Sequence, residues 1–170
     1  MRHRRVGRIG QHESLSRHAG GQEALDLLQK FNADKSVEDL AASIAALRSR
    51  GCTKVGVVGY CLGGRLAFLC ATRTDSDATV GYYGVGLDNL LGERQNIRKP
   101  LLLHIATRDK FSSPEAQAKV RAALKDNPLV TIYEYDAAHA FARGSGSVRV
   151  PALAQQADER TQAFLSDKLA

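Results

Sequence analysis

The stretch Lys54-Val55-Gly56-Val57-Val58-Gly59-Tyr60-Cys61-Leu62-Gly63-Gly64 decides how this chain is read. Lys54 to Gly59 is a continuous apolar run rich in β-branched residues, the pattern of a strand buried on both faces of a parallel sheet. Gly59 to Gly64 follows at once and leads into an apolar-periodic segment, so the glycines fall between a strand and a helix. In that setting G-x-Cys-x-G is the pattern of a nucleophile elbow, a sharp turn that strains the central residue's backbone and lifts its side chain above the sheet. Glycines flank the nucleophile because the turn leaves no room for side chains there. The N-terminus of the following helix carries a positive dipole that favours thiolate over thiol, and the N–H of Leu62 supplies one oxyanion donor. The bland alternative for Cys61 is a small buried hydrophobe in a Gly-rich turn.

Outward from the elbow, strand and helix signals alternate. Upstream, Ser36-Val37-Glu38-Asp39 reads as a capping box, and Val37, Leu40, Ile44 and Leu47 trace one helical face that ends near Gly51. Downstream, Arg65 to Arg73 reads as a helix with Leu66, Ala67, Leu69 and Cys70 inward, and Ala78 to Tyr83 as a strand. A third strand spans Pro100 to Ala106. Ser112 or Ser113 caps the next helix, with Pro114 in its first turn and Ala118, Val120 and Leu124 facing the core to about Lys125. Leu129 to Tyr135 reads as a fourth strand, and Pro151 opens a C-terminal helix with Leu153, Ala157, Phe164 and Leu165 near one face. The alternation predicts an α/β fold, a mostly parallel sheet with helices on both faces. Ligands in such sheets sit beyond the carboxyl ends of the strands, which directs attention to the residues after Gly59, Ala106 and Tyr135.

Two of those strand ends carry suitable side chains. Asp109, in Thr107-Arg108-Asp109-Lys110, follows the third strand, and His139 follows the fourth on a small-residue loop. Taken singly, aspartates are common in turns and loop histidines are usually solvated. Taken together, Cys61, Asp109 and His139 follow successive strands in the order nucleophile, acid, base. Cys52 and Cys70 read as core sulfurs, His104 as a strand histidine, and Tyr82 and Tyr83 as packing aromatics with polar tips.

Composition bounds the remaining classes. The 170 residues are 44% hydrophobic and 25% charged, ordinary for a folded domain and unlike a disordered or fibrous chain. Apolar runs are far shorter than the roughly 20 residues of a membrane helix. Of the net charge of +6, the first twenty residues account for +4, with five arginines against Glu13. The rest carries no basic face of the kind nucleic acid demands. The head at residues 1–22 lacks an apolar signal core and reads as a disordered or foreign basic head ahead of a domain at 23–170. Three cysteines with no C-x-x-C indicate neither disulfides nor zinc, hence no metal and a reducing, cytoplasmic compartment. The glycines lack the Lys-Ser/Thr of a phosphate loop and the G-x-G-x-x-G of a dinucleotide fold, so no cofactor is expected.

The runs Val55 to Phe68, Val80-Gly81-Tyr82-Tyr83-Gly84-Val85-Gly86, Arg108-Asp109 and His139-Ala140-Phe141-Ala142-Arg143 resemble the dienelactone hydrolase family, α/β-hydrolases with a cysteine nucleophile. The resemblance covers Ala24 to the C-terminus. It implies that Cys61 is the nucleophile, His139 the base and Asp109 its orienter. It further implies that Arg143, with Tyr60, contacts substrate, the planar guanidinium suiting a carboxylate. The implied reaction is hydrolysis of a small lactone or ester, dienelactone to maleylacetate, through an acyl-cysteine and without cofactor. The family implies a monomer acting on a small molecule, with neither nucleic acid nor membrane as partner.

The family's members often carry serine where this chain has Ala140. They also carry strands and helices ahead of the matching segment, including a glutamate and a second arginine. Nothing in Met1 to Gly21 resembles these, so the expectation is a sheet without its N-terminal strands, with an open edge through which molecules associate. The alternative is a truncated, inactive relative or interaction-only fragment. A glutamine-amidotransferase-like reading is disfavoured because Phe141 stands where such enzymes place a glutamate.

Overall fold

The computed structural model describes residues 30–170; the reading of residues 1–22 as a basic head lies outside them. All elements below belong to one compact unit, Ala33–Ala170. In chain order they are α1 (Ala33–Ser49), β1 (Gly56–Tyr60), α2 (Leu62–Arg73), β2 (Ala78–Tyr82), a 3₁₀ segment (Leu87–Asn96), β3 (Leu101–Ala106), α3 (Pro114–Leu124), β4 (Val130–Tyr135) and α4 (Pro151–Lys168). The four strands are parallel and lie in the order β1-β2-β3-β4.

Every residue of β2 and β3 is buried, which explains their unbroken apolar sequences. Alternate residues of β3 serve two separate cores. Leu101, Leu103 and Ile105 pack with Phe68 and Leu69 of α2 and Val120 and Leu124 of α3. Leu102 and Ala106 point the other way, to Ala154 and Ala157 of α4. Helices therefore cover both faces, as the alternation of elements predicts.

The structure corrects several details. β1 is not buried on both faces: Val58 is 40% and Tyr60 47% exposed, because among the described residues β1 pairs with β2 alone. α1 begins at Ala33, so Ser36 lies within its first turn and the capping box does not mark the start. Its end is as read. Gly51 adopts φ +90°, with Cys52 N–H donating to the Leu47 carbonyl and Gly51 N–H to that of Arg48, a Schellman arrangement. Leu47 is exposed, since Val37 and Ile44 alone on that face reach the core. In α3, Gln117 takes the inward position assigned to Ala118, with Val120 and Leu124. In α4 the buried line is Ala154, Ala157 and Thr161; Leu153, Phe164 and Leu165 flank it half-buried, because small residues let the helix approach the sheet. Ser113, not Ser112, caps α3, its hydroxyl accepting from Ala116 N–H at 3.2 Å. The 3₁₀ segment has no helical period in its sequence and is held by buried Leu87 and Leu90.

Candidate active site

Cys61 stands between the last residue of β1 and the first of α2, with φ +57° and ψ −116°. A side chain with that backbone is strained, the signature of the elbow read from the sequence. Its N–H donates to the Tyr82 carbonyl at 3.0 Å, which ties the turn to β2. The glycines divide unequally. A Cβ on Gly59 would lie 1.9 Å from the Gly63 carbonyl oxygen, and one on Gly64 would lie 2.6 Å from that of Tyr82. A Cβ on Gly63 meets nothing within 4 Å, so the second obligatory glycine is Gly64 and not the flanking Gly63.

Asp109 follows β3 and is 7% exposed. One carboxylate oxygen accepts the Phe111 N–H at 2.8 Å, and the other meets His139 Nδ1 at 2.6 Å. Gln117, 3% exposed, braces the same turn by donating to the carbonyls of Ala106 and Ser112, each at 3.0 Å. Nothing in the sequence singled it out, although a polar residue on the inward line of a helix is the available signal. His139 lies on the loop after β4 and makes T-shaped contacts with the Tyr83 ring (centroids 5.0 Å apart) and the Phe111 ring (4.8 Å). Ala140, next to it, adopts φ +64°, so the loop turns sharply there.

The charges of the pair follow from these contacts. Burial favours neutral imidazole, but hydrogen bonds to Asp109 and to Cys61 outweigh it and raise His139 to about 9. The hydrogen bond from His139 is the largest influence on Cys61; with help from the Leu62 N–H it lowers the thiol below its ordinary value against an opposing burial effect. The two shifts favour thiolate and imidazolium together. Cys70, buried, is pushed up to about 11, and Cys52 is exposed.

The structure thus brings Cys61, Leu62, Asp109 and His139 together. Tyr60 stacks on Tyr82 with centroids 4.6 Å apart and lies 6.1 Å from Tyr83. Arg143 is exposed on the loop after His139, and its charge acts on the Tyr83 hydroxyl, which burial otherwise drives strongly upward. Tyr83, read from the sequence as a packing aromatic, therefore borders the site, with its own backbone at φ +38°.

A parallel sheet with a strained cysteine at a strand–helix turn and an aspartate–histidine pair on later strand ends defines the α/β-hydrolase fold. Residues 9–169 match the family model described as the dienelactone hydrolase family, and the chain belongs to that family. A relative from Azospirillum brasilense is 50% identical over 127 residues, 71% of this chain and 55% of the relative. A carboxymethylenebutenolidase from Pseudomonas putida is 39% identical over 148 residues, 85% of this chain and 63% of that protein. The chain thus spans 55–63% of the length of these two relatives. An esterase from Pyrococcus furiosus shares the fold, with a TM-score of 0.69 at 20% identity over 83% of this chain and 66% of that one. Among the described residues no helix is long and apolar enough to cross a membrane.

Proposed function

We propose that this chain carries the catalytic centre of a hydrolase of small lactones and esters, with dienelactone, opened to maleylacetate, as the substrate the family suggests. The observation that supports it most is the line of contacts from Asp109 through His139 to a cysteine in strained elbow geometry.

The Cys61 thiolate attacks the lactone carbonyl carbon, and the carbonyl electrons move onto oxygen, where the Leu62 N–H stabilises them. Collapse breaks the ring C–O bond. The His139 imidazolium gives its proton to the departing enol oxygen, and Cys61 is left as a thioester. Neutral His139 then takes a proton from water as that water attacks the thioester. Thiolate departs and the carboxylic acid leaves. Asp109 holds His139 in the tautomer with its free nitrogen toward sulfur, and stabilises the cation. Arg143 offers a forked pair of donors to a substrate carboxylate, and Tyr60 is the second substrate contact the family suggests. A nucleophilic thiol of this kind fits a reducing, cytoplasmic setting.

Hydrolysis of dienelactone and of an activated ester by the purified chain, beside Cys61→Ala, tests the reading. The expectation is turnover that falls by about 10³-fold or more in the variant. No turnover from a folded wild-type chain would favour the non-catalytic relative, and equal rates in both proteins would overturn Cys61 as the nucleophile.

A further inference from the structure

Beneath the site, six side chains form one unbranched line of hydrogen bonds. Arg160 Nη1 donates to the Tyr135 hydroxyl at 3.1 Å, and that hydroxyl meets His104 Nδ1 at 2.8 Å. His104 Nε2 meets Thr161 Oγ1 at 2.9 Å, and Thr161 Oγ1 meets the Tyr82 hydroxyl at 2.7 Å. The Tyr82 hydroxyl donates to Asp158 Oδ1 at 3.1 Å. The four inner members are almost wholly buried: Tyr82 0%, His104 1%, Tyr135 2% and Thr161 8% exposed.

The two ends fix the direction of every proton. A guanidinium can only donate and a carboxylate can only accept. Tyr135 receives from Arg160 and gives its one proton to His104 Nδ1. His104 therefore carries its proton on Nε2 and donates to Thr161, which donates to Tyr82, which donates to Asp158. The opposite tautomer would leave the Tyr135 proton without this acceptor, and would leave either the Thr161–Tyr82 contact at 2.7 Å or the Tyr82–Asp158 contact at 3.1 Å with no proton between its oxygens. Burial, reinforced by Arg160, pushes His104 down to about 3, so the ring stays neutral under working conditions.

The line crosses the sheet where the site is built. Tyr82 is the residue whose carbonyl holds the Cys61 amide. The Tyr135 carbonyl accepts Thr107 N–H at 2.9 Å, two residues before Asp109, and Ala137 N–H at 2.8 Å, two residues before His139. The His104 carbonyl accepts Tyr83 N–H at 2.7 Å. In register, Tyr60, Tyr82, His104 and Tyr133 form a row of rings across all four strands, with the Arg160 guanidinium 4.0 Å from the Tyr133 centroid.

We propose that His104, locked as the Nε2–H tautomer, is a positioning residue for Cys61 and His139: the line it centres ties the ends of β2, β3 and β4 to α4 and sets the spacing of the elbow against the acid and base. The proposal rests on the hydrolase reading for its catalytic consequence.

Thr161→Val removes the central hydroxyl at nearly constant shape, Thr161→Ser keeps it, and His104→Phe keeps the ring without its nitrogens. The expected result is a kcat lowered about tenfold in Thr161→Val and His104→Phe, with KM changed by less than about twofold, and near-wild-type values in Thr161→Ser. Alkylation of Cys61 by iodoacetamide should slow in the same two variants, with exposed Cys52 as the internal reference. Lower melting temperatures with unchanged kcat and unchanged alkylation would overturn the proposal and leave the line a packing device. Imidazole nitrogen NMR of the wild-type chain should show His104 as a non-titrating Nε2–H tautomer between pH 5 and 9, and the Nδ1–H form or a titration in that range would also overturn it. Alkylation and NMR need no turnover, so failure of the hydrolase reading would not mask failure of this one.

Discussion

At the residue scale, the reactive state of Cys61 depends on two opposed titrations. His139 is raised to about 9 and Cys61 is lowered, so thiolate and imidazolium coexist between the lowered thiol value and about 9. Under the proposed mechanism the hydrolysis rate, kcat/KM, should therefore fall on the acid side as the thiolate takes up a proton, and fall again near pH 9 as His139 loses the proton assigned to the leaving group. A pH–rate profile checks both limbs; a rate still rising through pH 10 would contradict the assignment of His139 as acid. The same sign governs stability. The contribution of His139 is complete below its unfolded value of about 6.5 and is lost as pH rises through about 9. Elsewhere, Thr79 Oγ1 is buried without a hydrogen-bond partner in the interior of the sheet. An unpaired hydroxyl costs free energy that an isosteric methyl does not. Thr79→Val should raise stability by about 1 kcal/mol, measured by denaturant unfolding.

At the element scale, the strand–turn–helix unit around Cys61 was legible because its glycines, its β-branched strand and its apolar helix agree with one another. Which glycines matter was not legible, since close approach to β2 depends on packing between elements distant in sequence. Gly59→Ala and Gly64→Ala each force a Cβ against backbone and should destabilise by about 2–3 kcal/mol. Gly63→Ala enters open space on a helix and should be neutral or stabilising by up to about 1 kcal/mol. Thermal melts of the three variants decide it, and equal losses at all three would contradict the geometry. α4 shows the opposite limit. Periodicity placed Leu153, Ala157, Phe164 and Leu165 inward, but of these only Ala157 joins Ala154 and Thr161 in the buried line that meets the sheet. The polar line from Arg160 to Asp158 was invisible for the same reason: Thr161 and His104 are 57 residues apart and only the fold makes them partners.

At the scale of the whole molecule, the parallel sheet, its strand order and its helical covering follow from the alternation of elements, each strand having one obvious neighbour along the chain. The exposure of β1 was less plain, because an apolar run reads as buried whether or not a strand lies beside it. Cys61, Asp109 and His139 were found from their strand-end positions, while Tyr83 and Gln117 joined the site only through tertiary contacts. Mass spectrometry of the chain quenched in acid during hydrolysis of an activated ester tests directly whether the Cys61 sulfur is the nucleophile. The expected result is one acyl group, carried as a hydroxylamine-labile thioester on the peptide containing Cys61. Hydrolysis with that peptide unmodified, or acylation at another residue, would contradict it.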